Sequence, residues 1–222
     1  MSTVLITGCD YGIGFEFARQ YAADGWTVHA TCLKAESREK LAALGSDAHF
    51  HQLDISDQSA VSTFADELKG EAIDLFLNNA ANFSPDGPGP LMLTDMDEFT
   101  RIMRVNLVTP DYDAKALADQ VAASERKLMI FIGTRSDSGG HCAYRCSKAA
   151  LNVAVKCISI EFAEQGILAT VPNKRSSATE TRTSGTGFPI DESISGMRGV
   201  IDAVTPKISR DLQRYDSSTI EC

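Results

Sequence analysis

The sequence predicts an α/β domain in which one parallel sheet is doubly wound with helices, and three observations carry that reading. Short apolar runs of strand length recur along the chain: Val4-Leu5-Ile6, Trp26–Cys32, His49–Leu53, Ile73–Leu77, Leu128–Ile132 and Ile167–Val171. Segments with helical spacing separate them, so strand and helix alternate throughout. The first run breaks at Thr7-Gly8-Cys9-Asp10-Tyr11-Gly12-Ile13-Gly14 and resumes with the periodic Ile13-Phe17-Tyr21. A strand that turns on glycines into a helix aims the free N–H groups of the first helical turn at one spot, which suits a pyrophosphate. Gly8 permits the turn, Gly12 lets a ligand approach the backbone, and Gly14 lets the helix pack closely.

The whole-chain balance narrows the partners. A length of 222 residues is compatible with one domain over 1–222. A hydrophobic content of 43% and a charged content of 23% describe an ordinary globular protein. The net charge of −9 argues against a general affinity for nucleic acid or an anionic membrane. Met1-Ser2-Thr3 leads straight into the first strand and no long apolar run follows, so neither leader nor membrane span is expected. Six cysteines without framework spacing read as reduced thiols of a cytoplasmic protein, with no metal site expected.

In chain order, the first helix ends near Gly25, and the second strand reaches its tip at Thr31-Cys32-Leu33-Lys34. An acidic residue at that tip would bind a ribose 2′-hydroxyl and repel a 2′-phosphate. None stands there, and Lys34 can pair with a phosphate. A short helix at Ser37–Leu44 precedes the third strand, which delivers Asp54 and Ile55 to the ligand edge. Asp54 or Ser56 can equally cap the helix at Gln58–Leu68. The fourth strand ends in Asn78-Asn79-Ala80-Ala81, where amides suit the tying of strand ends and alanines leave room for a flat ligand. A Pro- and Gly-rich loop follows, then a long helix capped at Thr94, with Pro110 kinking it at Asn106–Thr109. The fifth strand runs into Gly133-Thr134-Arg135-Ser136-Asp137-Ser138. A long helix, Ala143–Gln165, then carries Tyr144 and Lys148 on one face. Residues 173–190 read as a flexible flap, Asp191–Val204 as a last helix and Leu212–Tyr215 as an edge strand.

Tyr144-Arg145-Cys146-Ser147-Lys148 sets an ammonium beside a phenol, which lowers the phenol's pKa and makes it a usable acid and base. Together with TGCDYGIG, Asp54-Ile55, Asn78-Asn79-Ala80 and Val105-Asn106 in this order, the chain resembles the short-chain dehydrogenase/reductase family, with its Rossmann-type sheet. SGGHCAYRCSKAALN and SGMRGVIDAVTP resemble its C-factor and carbonyl-reductase-like branch most closely. The resemblance implies an NAD(P)-dependent oxidoreductase that interconverts a small carbonyl compound and its alcohol. Tyr144 would be the general acid and base, Lys148 would hold the nicotinamide ribose, and Asn106 would hold a water in the proton relay. Asp54 would contact adenine, and the backbone around Asn79 and Ala80 would border the cofactor, with Gly8, Tyr11, Gly12, Ile13 and Gly14 at the pyrophosphate. With Lys34 in place of an acid, NADP is slightly favoured over NAD.

Three departures bear on function. Asn78-Asn79-Ala80-Ala81 stands where the family has Asn-Asn-Ala-Gly, and Pro172-Asn173 where it has Pro-Gly. The hydroxyl that polarises the substrate carbonyl falls on Thr134, only ten positions before Tyr144, with Ser136 and Ser138 as rivals. These departures keep open an alternative, a low-turnover NAD(P)-binding signalling or interaction protein. Apolar positions on the two long helices, among them Leu107, Val108, Leu117, Val121, Leu151, Val155 and Ile158, predict a homodimer or homotetramer.

Overall fold

The protein is described by a computed structural model over residues 1–83, 95–134, 141–173, 189–206, 212–214 and 219–220. Its strands are β1 (Thr3–Ile6), β2 (Thr27–Cys32), β3 (Ala48–Gln52), β4 (Leu75–Asn78), β5 (Leu128–Phe131), β6 (Leu168–Asn173), β7 (Leu212–Arg214) and β8 (Thr219–Ile220). They form one sheet in the order β3-β2-β1-β4-β5-β6-β7-β8. Every pairing is parallel except β7 with β8, which is antiparallel. Chain order reverses at β1, whose Leu5 registers with His29 of β2 on one side and Phe76 of β4 on the other. That reversal opens the crevice where a doubly wound sheet takes its ligand.

The helices are α1 (Gly12–Ala23), α2 (Ser37–Ala42), α3 (Gln58–Glu67), α4 (Met96–Met103), α5 (Thr109–Ala116), α6 (Ala118–Ala122), α7 (Cys142–Glu161) and α8 (Ile190–Asp202). Side chains alternate along each strand, so each face of the sheet builds its own core. On one face Leu5, Phe76, Met129 and Phe131 pack with Phe64 of α3, Ala114 of α5 and Leu151, Val155 and Ile158 of α7. On the other, Val4, Ile6, Leu75, Leu77 and Ile130 pack with Phe17 and Tyr21 of α1 and Ile194, Met197 and Ile201 of α8. Burying each such side chain is worth about 1.5–3 kcal/mol, so the two apolar layers, rather than helix propensity, fix where α1 and α7 sit.

Several elements differ locally from expectation. The cap of α3 is Asp57, which accepts from the backbone N–H groups of Ser59 and Ala60, not Asp54 or Ser56. Asp95 caps α4 through Asp97 and Glu98, while Thr94 lies outside the described residues. The single long helix expected after it is four segments, because a π-helical turn at Arg104–Val108 separates α4 from α5. Pro110 is the cause: it cannot donate a backbone hydrogen bond and it crowds the preceding turn. β8 gave no readable pattern in a stretch of two residues. Ser136, Ser138 and the interior of the 173–190 segment lie outside the described residues.

Candidate active site

The glycine turn is built by contacts from β4. Thr7 Oγ1 accepts the backbone N–H groups of Asn79 and Ala80, each at 3.0 Å. In return Asn79 Nδ2 donates to the carbonyls of Thr7 (2.9 Å) and Gly8 (3.0 Å). Asn79 therefore ties two strand ends, as the paired amides predicted, whereas Asn78 reaches across to α5, where its Nδ2 donates to Asp113 Oδ2 at 3.1 Å. The clamp leaves no room at Gly14: a Cβ there would stand 2.2 Å from the Gly8 carbonyl oxygen and 2.6 Å from Asn79 Nδ2.

Gly12 is different. Its φ is +62°, and a Cβ placed on it would meet nothing within 4 Å. It opens α1, whose N-terminus has no side-chain cap and no acidic residue in its first turn. Those N–H groups are available to an anionic ligand, and the space above Gly12 lets one approach the backbone. The residues present thus fit a dinucleotide diphosphate. Beside them Tyr11 is half exposed and Ile13 rests against the core. Ile55 is buried in the other core cluster. Asp54 is exposed, and its Oδ1 accepts from the Ser56 backbone N–H and hydroxyl.

At the tip of β2 the structure adds a residue the sequence reading passed over. Asp10 Oδ2 accepts the Leu33 backbone N–H (3.0 Å), and its Oδ1 accepts the Lys34 backbone N–H (3.0 Å) and the Ser37 hydroxyl (2.8 Å). The tip of β2 carries no acid of its own, yet a carboxylate reaches it from the glycine turn. Nothing local signals this, because the two segments lie more than twenty residues apart. Lys34 itself is exposed beside it.

The opposite flank carries the phenol. Lys148 is buried and its Nζ donates to the Ile132 carbonyl at 2.9 Å, which places the ammonium 6.0 Å from the Tyr144 ring centroid. Burial pushes the Tyr144 phenol up, while a hydrogen bond with the Thr134 side chain and the charge of Arg145 act the other way. The net shift is upward rather than the lowering expected from Lys148, because burial outweighs the opposing influences. Thr134 is the described hydroxyl that reaches the phenol. Phe83 packs edge-on against Tyr144, with centroids 4.7 Å apart, and also touches His141 at 4.3 Å.

Asn106, fully buried in the π-helical turn, holds this flank together. Its Oδ1 accepts the Asn82 backbone N–H (2.7 Å), and its Nδ2 donates to the Asn82 carbonyl (2.8 Å) and Ser147 Oγ (3.0 Å). Ser147 in turn donates to the Tyr144 carbonyl at 2.7 Å. The amide protons are committed to protein partners, so Asn106 acts as a three-way tie among the loop after β4, the π turn and α7. Sequence reasoning found Asn106 but not Ser147 or Phe83, whose relevance comes only from the packing.

Asn106, Thr134, Tyr144 and Lys148 are thus linked to one another and to the segments that follow β4 and β5. A family model described as short chain dehydrogenase matches residues 2–184. The short-chain dehydrogenase/reductase atnB of an Arthrinium species is 29% identical over 75% of this chain and 71% of its own length. Other curated relatives are matched over 63% and 65% of their length. The 1-hydroxy-2-glutathionyl-2-methyl-3-butene dehydrogenase of Rhodococcus sp. strain AD45 is 27% identical over 100% of both chains. The NADPH-bound carbonyl reductase from chicken fatty liver superposes with a TM-score of 0.88 at 23% identity, covering 99% of this chain and 98% of that one. Motif order, fold and family match agree: the chain belongs to the short-chain dehydrogenase family of NAD(P)-dependent oxidoreductases.

Proposed function

We propose that this protein interconverts a small carbonyl compound and its alcohol, with Tyr144 as the proton donor and acceptor. The observation that carries the reading is the Tyr144 phenol meeting Thr134 at the crevice beside buried Lys148. A bound NAD(P) supplies or accepts the hydride. Tyr144 gives its proton to the carbonyl oxygen in reduction and takes it back in oxidation. Thr134 donates a hydrogen bond to the same oxygen and holds the substrate within reach. Lys148 binds the ribose and supports the phenolate, and Asn106 positions α7 through Ser147.

For the cofactor, the first turn of α1 receives the diphosphate, with Gly8, Tyr11, Gly12, Ile13 and Gly14 around it. Asp54, with the backbone of Ile55, borders the adenine, and Asn79 and Ala80 border the ring system. The lean is towards NADP: Lys34 stands at the tip of β2, and the chicken carbonyl reductase of similar fold carries NADPH. In this reading the whole chain acts as one cytoplasmic cofactor-binding domain.

The same reading includes a homo-oligomer. Leu117, Val121, Leu151, Val155 and Ile158 are buried within the monomer's own core, which removes them from the expected stripe. Val108, Val153 and Ile160 remain exposed at 51%, 66% and 57%, and these apolar side chains are what a second copy would cover. Light scattering giving the mass of one chain at micromolar concentration would overturn that part.

The catalytic reading is tested by following NADPH and NADH oxidation against a panel of aldehydes and ketones, with cofactor dissociation constants measured in parallel. Saturable turnover with at least one small carbonyl is expected. Tight cofactor binding with no turnover across the panel would favour the binding-protein alternative.

A further inference from the structure

Five cysteines lie among the described residues, and two of them are neighbours. Cys142 opens α7 and Cys146 follows one turn later, with the sulfurs in contact at 3.7 Å. Cys146 is exposed and Cys142 half-buried. Cys9 and Cys32 are buried, and Cys157 stands on the same helix about 16 Å further along by helical rise. The catalytic chemistry uses none of these thiols.

The position of the pair gives it consequences. Side chains four apart in a helix have Cβ atoms about 5–6 Å apart, whereas a disulfide needs roughly 3.5–4.5 Å. Joining Cys142 to Cys146 therefore tightens the first turn of α7. That turn starts from His141, whose φ of 50° is left-handed and whose side chain makes no capping hydrogen bond to the helix. Tyr144 sits between the two cysteines on the same turn. Moving this turn carries the phenol away from Thr134.

We propose that Cys142 and Cys146 form a redox-responsive dithiol, oxidised by a low-molecular-weight disulfide of the glutathione class to an intrahelical disulfide that displaces Tyr144. The exposed Cys146 thiolate attacks one sulfur of the small disulfide, forming a mixed disulfide and releasing one small thiol. The Cys142 thiolate then attacks the Cys146 sulfur, closing the protein bond and releasing the second small thiol. Two protein thiols lose two protons and two electrons overall, and the small disulfide gains them. Burial and the neighbouring Cys142 sulfur push the Cys146 thiol up, so the reaction accelerates as pH rises above neutrality. A bond that holds the turn out of helical geometry is strained, hence readily reduced.

The site can be read without any assay of turnover, because Arg145 lies between the cysteines and trypsin separates them. The full-length protein is equilibrated in glutathione buffers of increasing oxidised fraction at pH 8, alkylated, digested and analysed by mass. The expected product is a disulfide joining the peptides that end at Arg145 and Lys148, appearing with oxidation and lost on adding dithiothreitol. Cys146→Ser should abolish it, and Cys157→Ser should not. A stable glutathione adduct on Cys146, an interchain link or no link at full oxidation would each overturn the proposal. The effect on catalysis rests on the proposed oxidoreductase activity: turnover should fall more than tenfold in step with the linked peptides and return on reduction. Unchanged turnover in the fully linked protein would overturn the displacement of Tyr144 while leaving the oxidoreductase reading intact.

Discussion

Asn106 and Ser147 are joined by a 3.0 Å hydrogen bond that runs from the π-helical turn to α7. With its two bonds to Asn82, this places a fully buried amide at the junction of three segments. Asn106→Ala removes three hydrogen bonds at once, two to the Asn82 backbone and one to the Ser147 hydroxyl, which keeps its bond to the Tyr144 carbonyl. A loss of about 3 kcal/mol follows, which is roughly 6–12 °C in melting temperature for a chain of this size. Ser147→Ala removes the hydroxyl's bonds to Asn106 and to the Tyr144 carbonyl but leaves the Asn82 tie intact, and should cost less, about 1–2 kcal/mol. Differential scanning calorimetry on both variants checks the ordering.

Tyr144→Phe should leave the cofactor dissociation constant within about twofold and lower turnover by roughly 10²–10⁴, since only the proton transfer is removed. Lys148→Met should weaken cofactor binding as well, because its ammonium serves both tasks. Full activity in Tyr144→Phe would reject the acid–base assignment.

Asp10→Asn is expected to raise NADPH affinity relative to NADH by several-fold. The amide retains an acceptor for the β2 tip but removes the negative charge facing a 2′-phosphate. Paired fluorescence titrations of the two reduced cofactors decide this, and an unchanged ratio would place Asp10 outside cofactor selection.

Asp113 makes stability fall in alkali. Burial pushes its carboxyl up to about 8, against the opposing hydrogen bond from Asn78. The folded state therefore holds this proton more tightly than the unfolded chain does. Its contribution is full below the ordinary carboxylate range of about 4 and is lost as pH rises through about 8, at up to ~1.4 kcal/mol per unit. Asp113→Asn keeps a group for Asn78 to meet, and its urea midpoint should stay level between pH 7 and pH 9 while the parent's falls.

His29 and His51 act in the opposite sense. Burial and the imidazoles around them lower both to about 4. The two rings share a hydrogen bond of 3.0 Å, and Glu71 lies 3.1 Å from the far nitrogen of His29. Unfolded histidines take up protons near 6.5, so these two groups lower stability progressively as pH drops from 6.5 to about 4. Denaturation midpoints measured across pH 4–7 should rise with pH, and His29→Gln should flatten that slope.

The sequence carried the architecture because strand and helix alternate cleanly and the two buried faces of the sheet demand apolar runs that are easy to read. Tyr144, Lys148, Asn106 and the glycine turn could be singled out as candidates because the chemistry proposed for them depends on residue type at short spacing. Asp10, Phe83 and Ser147 were not, since each matters through a neighbour brought in by the fold. The caps were misplaced for a related reason. Ser, Thr and Asp cluster before α3 and α4, and only backbone geometry selects Asp57 and Asp95 among them. The expected lowering of the phenol's pKa was overturned by burial, which spacing along a helix does not reveal.

The clamp between Thr7 and Asn79 spans 72 residues of chain, while the tie between Asn106 and Ser147 spans 41. During synthesis the parts of the glycine turn are all present once β4 has left the ribosome, well before α7 exists. The residues of the Thr7–Asn79 clamp thus leave the ribosome before those of the Asn106–Ser147 tie. Each waits on a long-range closure, which places this domain among slowly folding topologies. A nascent chain paused after β4 would already contain both sides of the glycine-turn clamp and none of the residues proposed for proton transfer.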